Sequence, residues 1–114
     1  MFSFMRVSVF LLLAVGLFAS DMLEYSDNKA DCIVLKDENS IICKYTHKRI
    51  NSDKTVKFQW IEPDGVISRQ RDMVIPAGHG SVYDYRFIKG RTKGKWTFKV
   101  IDASNEYTTN FTLE

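Results

Sequence analysis

The chain has 114 residues, 45% hydrophobic and 26% charged, with a formal net charge of +2. That composition excludes a disordered chain, and the near-neutral charge excludes a strong general pull toward nucleic acid or anionic membrane. The length holds one domain near the lower limit of what a single core can stabilise.

Residues 1–19 read as a signal peptide. A single Arg6 precedes an apolar run, residues 7–19 (VSVFLLLAVGLFA), that stops at Ser20-Asp21. A positive start, a short apolar stretch and a small residue at its end mark a secretory leader. The run is too short to span a bilayer, which takes about 20 apolar residues. Cleavage is expected after Ala19, with Leu17 at −3; a cut after Ser20 would put bulky Phe18 there. Loss of Arg6 then lowers the net charge from +2 to +1. Left uncleaved, the same segment would tether the protein to a membrane.

Residues 20–30 are polar and read as an N-terminal arm, with residues 31–114 forming the folded domain. From there the apolar period is two. Residues 31–36 (DCIVLK) and 41–47 (IICKYTH) are two strand patterns around the turn cluster Asp37-Glu38-Asn39-Ser40. A turn there sets Cys32 opposite Cys43, or diagonal to it after a slip of one pairing step. Two cysteines in an exported chain predict a disulfide, and their spacing fits neither a redox motif nor a zinc site.

Residues 55–62 place Val56, Phe58 and Trp60 on one face. Pro63-Asp64-Gly65 is a turn, because proline presets the first corner and glycine accepts positive φ. Residues 66–71 read as a polar returning strand, and residues 73–75 as a separate apolar piece ended by Pro76. In residues 81–88, Tyr83, Tyr85 and Phe87 form the apolar set, with Asp84 and Arg86 expected on the wet side. A basic loop follows, residues 89–95. Residues 95–102 direct Trp96, Phe98 and Val100 inward, and residues 107–113 do the same with Tyr107, Thr109, Phe111 and Leu113. Seven or eight short strands with turn signals between them predict an all-β protein: an antiparallel, immunoglobulin-like sandwich with Trp60 and Trp96 in its core.

From Ile41 to Leu113 the order is a Cys-bearing strand, a strand ending in Trp before a Gly turn, and an aromatic-Arg strand. It continues with G-K-W-x-F-x-V-x-D (Gly94, Lys95, Trp96, Phe98, Val100, Asp102) and a closing N-F-T-L strand. This arrangement resembles the small periplasmic immunoglobulin-like β-sandwich domains of unknown function found in Gram-negative bacteria. The resemblance implies a fold and a compartment but no activity, so it assigns no functional residue.

Catalytic chemistry finds little support. His79, Ser81 and Asp84 lie along one loop-strand run, with nothing to orient the imidazole. Asp64 serves the turn, and Asp84 reads as the exposed partner of Arg86. His47-Lys48-Arg49 reads as the solvated end of a strand. Asn110-Phe111-Thr112 fits the glycosylation pattern, which matters only in a eukaryotic host. The chain is therefore expected to be non-enzymatic, with no cofactor and no metal.

Charge distribution is the stronger lead. Residues 21–38 carry six acids against two bases, and residues 86–99 carry six bases and no acid. Lys89, Arg91, Lys93 and Lys95 sit in a loop with two glycines, so that loop is the expected partner-facing surface. Its bland alternative is a solvated loop whose charge keeps sheet edges apart. The expected function is an accessory or interaction domain for an envelope or periplasmic protein, located in the periplasm or, alternatively, secreted. Nucleic acid is not an expected partner. A glycan-binding module is the competing class, and would need Tyr25, Tyr45 and Tyr83 outside the core.

Overall fold

The computed structural model describes residues 28–114. The leader, its cleavage position, Tyr25 and most of the polar arm lie outside the described residues. Seven strands follow in order: β1 (Lys29–Leu35), β2 (Ser40–Thr46), β3 (Lys54–Ile61), β4 (Ile67–Ile75), β5 (Ser81–Phe87), β6 (Gly94–Asp102) and β7 (Asn105–Leu113). They form two antiparallel sheets, ordered β1-β2-β5 and β4-β3-β6-β7. No helix among the described residues is long and apolar enough to cross a membrane.

The alternating faces of β2, β3, β6 and β7 build the core as their sequences dictate. Ile41, Cys43 and Tyr45 come from β2 and Val56, Phe58 and Trp60 from β3. Trp96, Phe98 and Val100 come from β6, with Phe111 and Leu113 from β7. Phe98 meets both Phe58 and Trp60 edge-on at 4.9 and 5.5 Å, and Phe111 meets Trp60 edge-on at 5.9 Å. Such edge-to-face pairs add to what area burial alone contributes. Gly94 opens β6 with φ +126°, and a Cβ there would lie 2.9 Å from the Pro63 ring. Only glycine lets the G-K-W strand start so close to the β3–β4 turn.

Cys32 and Cys43 are bonded, as direct partners in the β1–β2 ladder rather than diagonal ones, with Cα atoms 4.1 Å apart. The bridge points to an oxidising, exported compartment. Replacing both cysteines by serine is expected to cost about 2–3 kcal/mol, because the closed loop is short. Thermal melts with and without reductant check this; an unchanged midpoint would refute it.

Four local expectations are corrected. Lys29 and Ala30 belong to β1, so the strand starts inside the expected arm. Residues 66–71 and 73–75 are not two pieces: β4 runs unbroken from Ile67 to Ile75, because its ladder with β3 continues through Asp72. His47 is not solvated but buried, with its ring stacked 5.7 Å from Tyr45.

The largest correction is β5, whose faces are reversed. Tyr83, Tyr85 and Phe87 are 60%, 54% and 56% exposed, while Asp84 is 5% exposed. Hydrophobicity predicts the opposite. The physical reason lies across the sheets: Asp84 accepts a hydrogen bond from the buried Trp60 indole at 3.0 Å and pairs with Arg71 at 2.9 Å. Trp60 needs an acceptor once it is dehydrated, and only the inward set of β5 supplies one.

A second inter-sheet polar contact joins β2 to β6. The Tyr45 hydroxyl donates to Asp102 Oδ2 at 2.6 Å, and the Lys54 ammonium lies 2.7 Å from Asp102 Oδ1. Burial first, and then the Asp102 carboxylate, push the Tyr45 phenol well above its ordinary value. In the unfolded chain a tyrosine ionises near pH 10, while folded Tyr45 keeps its proton. The contribution of this contact is thus full below about pH 10 and is lost as pH rises further. Alkaline denaturation of Tyr45→Phe is expected to start from about 1–3 kcal/mol lower stability and to fall less steeply above that pH. Parallel alkaline slopes in the two proteins would refute it.

Candidate functional site

The reversed β5 places its two residue sets at one edge of the molecule. β4 ends one sheet and β5 ends the other. Between them lies an open cleft of about 420 Å³, lined by Arg69, Arg71, Asp84, Tyr85, Arg86, Phe87 and Arg91.

The local sequence explains each contribution. Arg69 and Arg71 share the parity of Met73 and Ile75 on β4, opposite Trp60 and Phe58 in the ladder. They occupy inner-face positions where the rest of the sandwich carries apolar side chains. Asp84 and Arg86 supply the inner face of β5. Arg91 arrives from the β5–β6 loop, whose first turn is fixed by Asn39: its carbonyl accepts from the Ile88 amide at 3.1 Å, and its side chain accepts from the Lys89 amide at 2.8 Å.

The electrostatics are unbalanced. Asp84 is fully engaged by Trp60, by Arg71, by Arg69 at 3.6 Å and by the Tyr85 amide at 3.0 Å. Arg86 lies 5.5 Å over the Trp60 ring and donates to the Ser68 hydroxyl at 3.1 Å. Arg91 donates to the Phe87 carbonyl at 3.2 Å. Neither Arg86 nor Arg91 forms an ion pair among the described residues. Burial, then the charges of Arg91 and Arg69, hold the Arg86 guanidinium below its usual value; Asp84 and Glu62 act the other way. Four guanidiniums therefore converge on a cleft with one carboxylate in its wall. Such a surface attracts anions, and the planar fork of arginine favours carboxylate or phosphate oxygens.

On the opposite side of β5 lies an apolar face. Ile33, Ile42 and Tyr85 stand in one row across β1, β2 and β5, flanked by Tyr83 and Phe87. Ile33 is 54% exposed, like its aromatic neighbours on β5. Tyr85 and Phe87 pack edge-on at 6.1 Å, and both also reach the mouth of the cleft.

The basic loop divides. Arg91 is half-buried and joins the cleft, whereas Lys89, Lys93 and Lys95 are exposed and do not line it. Asp84, read as an exposed partner of Arg86, is instead the buried centre of the site. His79 and Ser81 share a shallow depression with Arg49, away from Asp84, whose oxygens are already taken. Of the tyrosines a glycan would need, Tyr45 is buried and Tyr83 is exposed. Asn110 is exposed and accepts from the Thr97 hydroxyl at 2.9 Å. No cluster of three His, Cys, Asp or Glu side chains suited to a metal occurs among the described residues.

Sequence reasoning missed Arg69, Arg71, Asp84 and Arg86. One signal was present: Arg69 and Arg71 fall on the same parity as Met73 and Ile75, the dry face of their strand. Comparison with known proteins adds no family, since no family model matches the chain and no curated protein matches its sequence.

Proposed function

We propose that this chain is an exported, non-enzymatic interaction domain of immunoglobulin-like type, helping to assemble or stabilise an envelope complex in the periplasm. The observation that carries the reading is the exposed set of Ile33, Tyr83, Tyr85 and Phe87, joined by half-buried Ile42, on the three-stranded sheet. Contiguous exposed apolar surface marks a contact site, and tyrosine and phenylalanine are enriched in protein interfaces. The disulfide and the N-terminal leader support export. The G-K-W strand and the two buried tryptophans, Trp60 and Trp96, support the immunoglobulin-like assignment and the likeness to small periplasmic domains. Lys89, Lys93 and Lys95 are exposed and supply electrostatic steering that acts on the association rate.

Photocrosslinking in the native host tests the reading. A crosslinker at Tyr83 is expected to give one discrete protein adduct, and one at Thr108 on the far sheet none. Tyr85→Ala should weaken the purified pair tenfold or more, as loss of an aromatic anchor does. Equal adducts from both positions would refute a defined face. A glycan-binding role is the second reading, favoured by the exposure of Tyr83 and Tyr85. It predicts no protein adduct, and retention on immobilised polysaccharide that Tyr83→Ala abolishes.

A further inference from the structure

We propose that the cleft between β4 and β5 is a binding site for a phosphate monoester, with the phosphate held by Arg86 and Arg91 and the organic body resting on Tyr85 and Phe87. The site shares Tyr85 and Phe87 with the outer face of the sheet, while Arg86 and Arg91 belong to the cleft, so the arginine variants test it separately from that face.

Charge and geometry carry the argument. Inward-pointing charges on edge strands ordinarily protect sheet edges from pairing with other chains. That role accounts for Asp84 with Arg69 and Arg71, whose oxygens and nitrogens engage one another at 2.9 and 3.6 Å. It does not account for Arg86 and Arg91. Arg86 is half-buried, stands over Trp60 and faces the positive charges of Arg69 and Arg91 without a counter-ion of its own. A doubly charged anion between Arg86 and Arg91 relieves that repulsion and supplies acceptors for their free N–H groups. A single carboxylate would leave most of the excess positive charge in place. The volume of about 420 Å³ exceeds what bare phosphate needs, and the aromatic rings at the mouth offer surface to a larger group.

Strand addition at the same edge is disfavoured. The Tyr85 amide is held by Asp84 at 3.0 Å and the Phe87 carbonyl by Arg91 at 3.2 Å, so two backbone groups that an added strand would need are already occupied.

The test is an NMR titration of the disulfide-bonded domain at constant ionic strength, following arginine Nε–H and the Trp60 indole N–H. Phenyl phosphate is expected to give saturable shifts, tighter than inorganic phosphate because of its ring. Arg86→Gln and Arg91→Gln should each weaken binding about tenfold, the usual scale for losing a charged hydrogen bond. Lys93→Gln/Lys95→Gln should change it less than twofold. The Trp60 indole signal reports whether each variant is folded; if Arg86→Gln is not, Arg91→Gln decides alone. Shifts that never saturate, arginine variants that bind like wild type, or a lysine pair as damaging as the arginines would each overturn the proposal. Sedimentation with phosphatidylcholine vesicles containing phosphatidic acid separates the sources. Co-sedimentation lost in Arg91→Gln supports a lipid phosphate; phosphate binding without co-sedimentation supports a soluble ester.

Discussion

Replacing Trp96 with alanine is expected to cost about 3–5 kcal/mol, enough to leave little of so small a domain folded. Trp96 is 1% exposed and stacks on Phe111 with ring centres 5.9 Å apart. Its indole donates to the Thr92 carbonyl at 2.8 Å, tying the β5–β6 loop to the core. The variant therefore loses a large buried side chain, an inter-ring contact and the hydrogen bond to the Thr92 carbonyl. Trp96→Phe keeps the stacking and loses the hydrogen bond, so its cost should be about 1–2 kcal/mol. Urea denaturation followed by Trp60 fluorescence measures both. A Trp96→Ala protein that unfolds at the wild-type midpoint would show that Trp96 is not a core residue.

Asp84→Ala is the second large effect. It removes the acceptor of the Trp60 indole and the counter-ion of Arg71 and Arg69 in one step. Breaking a fully buried pair by removing one partner costs about 3–5 kcal/mol. Here the arginine side chains are 32% and 45% exposed, so water offsets part of that and about 2–3 kcal/mol is expected. The double variant Asp84→Ala/Arg71→Ala should recover part of the loss, since one of the two stranded charges is then gone. A double variant as unstable as the sum of the two singles would mean that the pair is not coupled.

Much of the fold was legible because four strands obey simple alternation. Val56, Phe58 and Trp60, and again Trp96, Phe98 and Val100, are the only apolar sets their strands offer, so burial has one solution. The disulfide followed from the cysteine count and the polar turn between the two strands. β5 was not legible for the opposite reason. It offers two alternating sets, and hydrophobicity chooses Tyr83, Tyr85 and Phe87, while the dehydrated Trp60 indole and the two β4 arginines choose Asp84. That choice depends on partners 13 to 24 residues away, which no local pattern contains. The cleft was hidden with it. Only Arg91 of its cationic residues was singled out, as part of a loop whose lysines point elsewhere.

The inverted strand also bears on how the chain reaches its fold. Sliding β5 by one residue against β2 would exchange its faces, bringing three aromatic rings inward and turning Asp84 and Arg86 out to water. Local preference favours that slipped pairing, so two arrangements compete as the sheet assembles, a conflict between near and distant instructions. Asn39 arbitrates: by holding the Ile88 and Lys89 amides it anchors the end of β5 at one position along β2. Seating of this strand is accordingly expected to be the late event in refolding. Asn39→Ala, at a residue that neither lines the cleft nor belongs to the core cluster, should slow that event more than it lowers the final stability.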